Sequence, residues 1–153
     1  MERITEYLSH IRRTMKLHES LLKTICGRYG LTLVEAQVVS FLHNNPTKDT
    51  AGDIVELRML SKGNVSQAVE RLIQKSMLAR SPDAADRRKI HLLLLAASAP
   101  VTKEIDALQE QFHAAVFQGL SPEEYAQFEA LNRRVIKNVE RAAQKKTPEN
   151  DGE

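Results

Sequence analysis

Side chains that can hydrogen-bond to base edges and phosphates are concentrated between residues 61 and 74. Apolar residues in this segment follow the spacing i, i+3, i+4, i+7, i+8, which predicts an amphipathic helix with Ser61 as its N-cap. Asn and Gln can read adenine edges, whereas Lys and Arg bind guanine edges or phosphates. The small residues of the first turn, Ser61, Gly63 and Asn64, would let this end of the helix approach a groove closely. The polar residues left outside the apolar face are Lys62, Asn64, Ser66, Gln67, Arg71 and Gln74.

Taken alone, such a polar face is more simply interpreted as a solvated helix surface, so the charge distribution matters. Residues 61–91 carry seven basic and three acidic side chains, whereas residues 92–153 carry seven basic and ten acidic ones. The whole chain has a formal net charge of only +2. A local basic patch on a nearly neutral protein favours docking on a polyanion over unspecific adhesion.

The segments before residue 61 predict three helices. Apolar side chains recur at a four-three spacing through residues 4–29, interrupted only by His18, which is typical of a long helix with a coiled-coil seam that ends at Gly30. Thr32 and Glu35 form a capping box that opens a second helix. A short third helix follows from Thr50, with Ile54, Val55 and Leu57 expected to point inward.

The pattern changes after residue 78. Two short stretches, 79–83 and 89–94, flank a charged loop, which indicates a β-hairpin. The leucines of the second stretch fit a helix equally well. A long helical pattern runs from Val101 to Leu120, and Ser121-Pro122-Glu123-Glu124 is a strong start for a last helix. The order of elements predicts a mainly α fold with a small hairpin wing: a winged helix-turn-helix at 31–95, flanked by dimerisation helices at 1–30 and 96–143. Residues 144–153 contain no apolar side chain and are expected to be a disordered tail.

Composition excludes several classes of protein. The chain of 153 residues has one cysteine, so it cannot form an internal disulfide or a multi-thiolate zinc site. Its N-terminus lacks the apolar core of a signal peptide, and no apolar run is long enough to span a bilayer, so a soluble, reduced, cytoplasmic protein without a membrane is expected. We find no sequence motif of a catalytic centre, and the five histidines show no metal-ligand spacing; no enzyme, cofactor or metal site is predicted. Aromatic residues at 5% also disfavour a stacking platform for single strands.

Several segments taken together resemble the MarR (multiple antibiotic resistance regulator) family of bacterial transcription regulators. The matching segments are Leu31-Thr32 with Gln37 and Leu42, Asp53-Ile54 with Leu57, Lys62-Gly63-Asn64-Val65-Ser66 with Val69 and Leu72, and Leu78 through Asp86-Arg87-Arg88 to Leu92. The most specific of them is the D-x-R motif at 86–88. Two positions depart from the family: Leu94 to Ser98 lack its usual Thr and Gly, and Ser76 stands where Gly is common.

The resemblance implies roles for individual residues. Arg88 would enter the minor groove at the wing tip, Asp86 would orient that tip through an ion pair, and Arg87 and Lys89 would meet phosphates. With the helix residues named above and Ser61, these form the predicted DNA-binding set. The resemblance further implies a homodimeric repressor on a palindromic operator in double-stranded DNA, and its release by a small-molecule inducer. The inducer would bind near His18, Phe112 and the second helix.

Two alternatives remain open at this stage. Cys26 could be an oxidant sensor as in some relatives, but its place at the end of the first helix favours a small buried hydrophobe. The chain could also be a helical protein–protein module that dimerises without binding DNA, which a salt-dependent DNA-binding assay would distinguish.

Overall fold

The computed structural model describes residues 2–145, and the side chains from Arg3 onward. Six α-helices and one antiparallel hairpin follow each other along the chain, which confirms the predicted mainly α, winged class. The elements are α1 (Glu2–Tyr29), α2 (Leu33–Asn44), α3 (Ala51–Arg58), α4 (Lys62–Gln74), β1 (Leu78–Pro82), β2 (Ile90–Leu94), α5 (Ala99–Val116) and α6 (Pro122–Gln144). A single 3₁₀ turn, Ala96–Ser98, joins the hairpin to α5. The chain divides into two compact units, one ending at Phe112 and the other beginning at His113.

Side-chain caps set where the helices begin. The predicted capping box of Thr32 and Glu35 opens α2, and the Ser121 hydroxyl accepts a hydrogen bond from the Glu124 backbone N–H at 3.1 Å at the start of α6. Thr50 and Asp53 form a further capping box at α3 that the sequence analysis did not identify. Each such cap satisfies backbone N–H groups that have no partner within the helix.

Four of the described residues, Gly30, Met59, Ser76 and Gly119, have a positive φ, and two of them bear on the sequence predictions. Gly30 ends α1 with φ 62°, as its lack of a Cβ favours. Ser76, the residue that replaces the family's usual Gly before the wing, has φ 57°. The departure noted in the sequence therefore leaves the local backbone in the conformation that glycine would favour, at some steric cost.

The core of the first unit lies under α4. Val65 and Leu72 from α4 are fully buried with Ile54 from α3, and the hairpin contributes Leu78 and Leu92. The strands pair in the register Arg80 opposite Leu92 and Ser81 opposite His91. The prediction that Leu57 points inward is wrong: its side chain is 52% exposed. Ile54 is fully buried and Val55 packs against the core, whereas Leu57 lies in the last turn of α3, next to its final residue Arg58.

In the second unit, Phe117, the residue after α5, packs against Tyr125 and Phe128 of α6 and forms an aromatic cluster with them. The ring centroids of Phe117 and Tyr125 lie 4.8 Å apart, and those of Phe117 and Phe128 lie 5.2 Å apart. Leu120 falls in the turn between the two helices and not, as the periodicity suggested, in α5. No residue of α6 is buried within the described chain.

The predicted disordered tail, residues 144–153, shares only its first residue with a described helix. Gln144 is the last residue of α6, and residues 146–153 lie outside the described part of the chain. None of the helices within residues 2–145 is long and apolar enough to cross a membrane.

Candidate nucleic-acid interface

The outer face of α4 presents the polar side chains singled out in the sequence. Val65, Ala68, Val69 and Leu72 are buried and Ile73 packs against the core, so the helix turns its polar residues to solvent. The Ser61 hydroxyl accepts a hydrogen bond from the Asn64 backbone N–H at 3.2 Å and keeps its own hydrogen free to donate. All the predicted contact residues of this segment are exposed: Ser61, Lys62, Asn64, Ser66, Gln67 and Arg71.

The hairpin lies beside this face of α4. Arg80 on β1 forms an ion pair with Glu70, which stands one helical turn after Ser66. Lys62 and Ser66 also border a shared cavity with Ile90 of β2. The structure thus brings the polar helix face and the base of the wing together.

The charged loop between the strands is held by its own aspartates. The Asp83 carboxylate accepts hydrogen bonds from the backbone N–H groups of Ala85 at 3.0 Å and Asp86 at 2.9 Å. The Asp86 carboxylate in turn accepts from the Arg88 backbone N–H at 2.9 Å. The predicted orienting contact of Asp86 was an ion pair; its observed partner is the backbone of Arg88. Arg87, Arg88 and Lys89 are exposed.

The carboxylates of Asp83 and Asp86 are engaged in hydrogen bonds that fix the turn, so the cationic side chains remain on the surface of the loop. The pKa of Asp83 lies far below its ordinary value, first because His91 donates a hydrogen bond to it and then because Asp86 and Ala85 do. Asp83 therefore stays charged at neutral pH with its oxygens engaged by this loop and by His91. The loop can then present guanidinium and ammonium groups to an anion.

Sequence reasoning missed the bridge that His91 makes at the base of the wing. Nδ1 of His91 lies 2.7 Å from Oδ1 of Asp49, and Nε2 lies 2.7 Å from Oδ1 of Asp83. Asp49 precedes His91 by 42 residues, so no local spacing could predict the contact. Only the hairpin register, which places His91 near Asp83, could have suggested half of it.

The predicted inducer-contacting pair, His18 and Phe112, does meet. The two rings pack edge to face with centroids 5.4 Å apart and border a cavity of about 150 Å³. Burial lowers the pKa of His18, and the nearby Arg58 lowers it further, so the ring is neutral at physiological pH. The neighbouring element at this cavity is the end of α3, through Arg58, where the sequence analysis expected α2. The other lining residues are Thr14, Met15 and Glu19.

A larger cavity of about 460 Å³ lies between α3, α4 and the hairpin. Its walls are mainly apolar, through Val55, Val69 and Leu92, with Arg80 as a cation at its edge. The walls suit an apolar small molecule, since Arg80 is already paired with Glu70 and the carboxylate of Glu56 also lines the cavity.

Cys26 lies against the core in a half-buried position. Its thiol donates a hydrogen bond to the Leu22 carbonyl at 3.5 Å, and burial raises its pKa. A raised pKa lowers the fraction of reactive thiolate, which favours the structural interpretation of this residue over the sensor.

Part of the chain matches a known protein family. Residues 29–89, the segment that contains α2 through most of the wing, match the model of the MarR family. The comparison with curated proteins gives no match. Among solved structures, 180 chains match.

Three of these structures illustrate the likeness. A transcriptional regulator of the MarR family from Silicibacter pomeroyi is 22% identical with a TM-score of 0.73, over 88% of this chain and 89% of that one. A MarR-family regulator from Listeria monocytogenes, complexed with a 26mer DNA, is 13% identical with a TM-score of 0.74, over 86% and 87%. Bordetella bronchiseptica BpsR, whose DNA binding is regulated by 6-hydroxynicotinic acid, is 26% identical with a TM-score of 0.59, over 83% and 90%.

Fold and site together define a winged helix-turn-helix protein with a basic wing beside an exposed polar helix. Residues 29–89 match the MarR family model, and 88% of the chain shares the fold of a solved MarR-family structure.

Proposed function

We propose that this protein is a homodimeric transcription regulator that binds a palindromic operator in double-stranded DNA and represses transcription from it. The observation that carries the proposal is the placement of Asn64 and Gln67, which can read bases, beside a wing whose tip exposes Arg88. In this assignment α4 enters the major groove and the wing follows the adjacent minor groove. Arg71, Arg87 and Lys89 bind phosphates and fix the register.

The proposed homodimer rests on apolar surface at both ends of the chain. Along α1, Ile4, Leu8 and Met15 are each more than half exposed. On α6, Leu131 is 57% and Val139 60% exposed. Such stripes at helical spacing need a partner in water, and a two-fold dimer supplies the same stripes from a second copy. Residues 1–30 and 96–143 then form the dimerisation part and residues 31–95 the DNA-binding part.

Release by a small aromatic acid is the regulatory part of the proposal. The similar protein BpsR is regulated by 6-hydroxynicotinic acid, and the cavity at His18 and Phe112 holds an aromatic edge with Arg58 nearby to attract a carboxylate. A ligand acts only if it prefers one conformation of the dimer over another. We therefore expect it to favour a dimer whose two α4 helices do not match the spacing of about 34 Å between successive major-groove faces.

Selection from random duplex DNA tests this proposal directly. The expected result is a two-fold symmetric sequence, bound with an affinity that falls steeply as salt concentration rises. Binding that selects no sequence would leave only a basic surface without base recognition. Failure to bind any duplex, with a stable dimer in sedimentation, would favour the helical protein–protein module instead.

A further inference from the structure

His91 is the centre of a chain of hydrogen bonds that runs from the α2–α3 loop to the wing tip. On one side its ring contacts Asp49, and on the other it contacts Asp83, each at 2.7 Å. Asp83 holds the backbone of Asp86, and Asp86 holds the backbone of Arg88, both at 2.9 Å. We call Asp49, His91 and Asp83 the His91 bridge.

The bridge also joins β2 to the body of the protein. The Leu92 backbone N–H donates a hydrogen bond to the Asp49 carbonyl oxygen at 2.8 Å, directly beside the side-chain contact. Beyond residue 82 the loop is held by hydrogen bonds among its own residues and by the contact of Asp83 with His91. The position of the tip therefore depends on how Asp83 is held.

We propose that His91 is a positioning residue for the wing, which holds Arg88 in place for DNA by donating hydrogen bonds from both ring nitrogens to Asp49 and Asp83. This inference rests on the proposed DNA-binding function. The geometry also sets the charge of the ring, since an imidazole donates from both nitrogens only as the imidazolium. In the neutral form one ring nitrogen would place its lone pair against a carboxylate oxygen 2.7 Å away.

The charged groups around the ring act in the same direction. Hydrogen bonds from His91 to Asp49 and then to Asp83 raise the pKa of His91 above its ordinary value of 6.5. Burial raises the pKa of Asp53 at the start of α3, but hydrogen bonds with Thr50 and the cations Lys48 and Lys89 outweigh this effect, so the net shift of that pKa is downward. His91 thus faces two carboxylates, one from the α2–α3 loop and one from the wing.

The sign of the pH dependence follows. A histidine whose pKa is raised in the folded protein contributes fully below about 6.5 and loses its contribution as pH rises through the raised value. DNA affinity should fall in that same window because the wing tip loses its support. Loss of one charge-assisted hydrogen bond corresponds to about a tenfold change in affinity.

The test compares the parent protein with His91→Gln, using duplex DNA at constant salt between pH 6 and pH 9. We expect His91→Gln to weaken binding about tenfold at pH 6 and much less at pH 9. The matched control is His43→Gln, which removes a histidine of α2 whose ring lies 2.7 Å from Asp106 of α5. The ratio of its DNA affinity to that of the parent should stay near one at every pH. An affinity ratio for His91→Gln that does not change with pH would overturn the proposal.

Two further measurements separate this inference from the proposed function. In the Arg88→Ala protein, His91→Gln should cost much less affinity, because the residue it positions is gone. NMR titration of the His91 ring in the free protein should give a midpoint above 6.5, and a midpoint at or below that value would overturn the bridge whether or not DNA binds. If the parent protein binds no duplex, the DNA-binding function and the positioning of Arg88 for DNA are both refuted. The NMR midpoint still shows whether the His91 bridge forms. Thermal unfolding checks that both variants are folded.

Discussion

Nζ of Lys75 lies 2.5 Å from Oε1 of Glu35 and 2.8 Å from the carbonyl oxygen of Gly30, so the end of α4 is tied to the start of α2 and to the end of α1. Glu35 is 1% exposed and also completes the capping box with Thr32. Burial raises the pKa of Glu35, but the hydrogen bonds from Lys75 and Thr32 have the larger, opposite effect, so the net shift of the pKa is downward. The helix that carries the proposed base-reading residues is therefore positioned at its far end by an ion pair to a buried carboxylate.

Removal of the Lys75 charge should destabilise the protein. Lys75→Met leaves the Glu35 carboxylate buried without its cation, and we expect a loss of about 2 kcal/mol in the free energy of unfolding. Because the pKa of Glu35 is lowered on folding, the contribution is present above its ordinary value of 4.5 and is lost as pH falls below it. Urea unfolding at pH 7 and pH 3.5 measures both effects. Lys103→Met, at an exposed position, is the control and should change little; equal losses in the two variants would contradict the assignment.

Arg88→Ala should weaken binding to every duplex. The wing tip supplies charge to the minor groove and its phosphates, so both operator and random DNA lose affinity, and the slope of log affinity against log salt should fall by about one. The fold should survive, because the residue is exposed and its backbone contact to Asp86 remains available to alanine. Titration of both duplexes at several salt concentrations is the measurement. Binding like that of the parent at every salt concentration would remove Arg88 from the interface.

Gln67→Ala should reduce specificity more than affinity. A bidentate contact to adenine contributes about 1–3 kcal/mol of discrimination, so the operator should lose affinity while random DNA does not. Arg71→Ala is the matched comparison on the same helix and should weaken both duplexes, as a phosphate contact does. If Gln67→Ala weakens operator and random DNA equally, Gln67 does not read a base.

Charge placed on the apolar stripe of α1 should break the dimer. Leu8 is 60% exposed, and Leu8→Glu would place two carboxylates in a dimer interface formed by α1. Sedimentation at micromolar concentration should show monomers for this variant and dimers for the parent. Lys23→Glu, also on α1 but outside the apolar stripe, should remain dimeric. A parent that is itself monomeric would contradict the assembly.

The two cavities make different predictions for an aromatic acid that releases DNA. Phe112→Ala removes the aromatic wall beside His18 and should abolish release, with DNA binding retained. Val55→Phe fills the cavity between α3, α4 and the hairpin and should leave release unchanged if the ligand binds at His18. Fluorescence anisotropy of labelled operator, with and without 6-hydroxynicotinic acid and related acids, gives both answers. Release lost in Val55→Phe alone would place the ligand in the larger cavity.

Local signals in the sequence predicted the helices well because caps and periodicity act over a few residues. Thr32, Ser61 and Ser121 each cap the helix assigned to them, and Gly30 ends α1. Leu57 was misplaced because hydrophobicity alone does not say how far along a short helix the contact with the core extends. The hairpin needed the family resemblance as well, since its leucines fit helix and strand equally.

The sequence predicted which side chains the candidate site exposes, but not the long-range contacts that hold its elements in place. An amphipathic helix buries one face, so the exposure of Asn64 and Gln67 followed from the spacing of Val65 and Leu72. The contacts that hold these elements join distant parts of the chain, as His91 does with Asp49 and Lys75 with Glu35. No local pattern encodes such pairs, because they depend on how the elements pack.

The core under α4 also has a consequence for synthesis of the chain. Leu22 and Ile25 from α1 are buried in the same cluster as Val101 and Ile105 from α5, nearly eighty residues later. Contacts over such sequence separations close late and slow folding. A nascent chain that has emerged only as far as residue 95 already contains α2, α3, α4 and the hairpin, yet still exposes the apolar surface that α5 covers. Arrest of synthesis at that point should leave a species prone to aggregation, and completion of α5 then covers this part of the apolar surface.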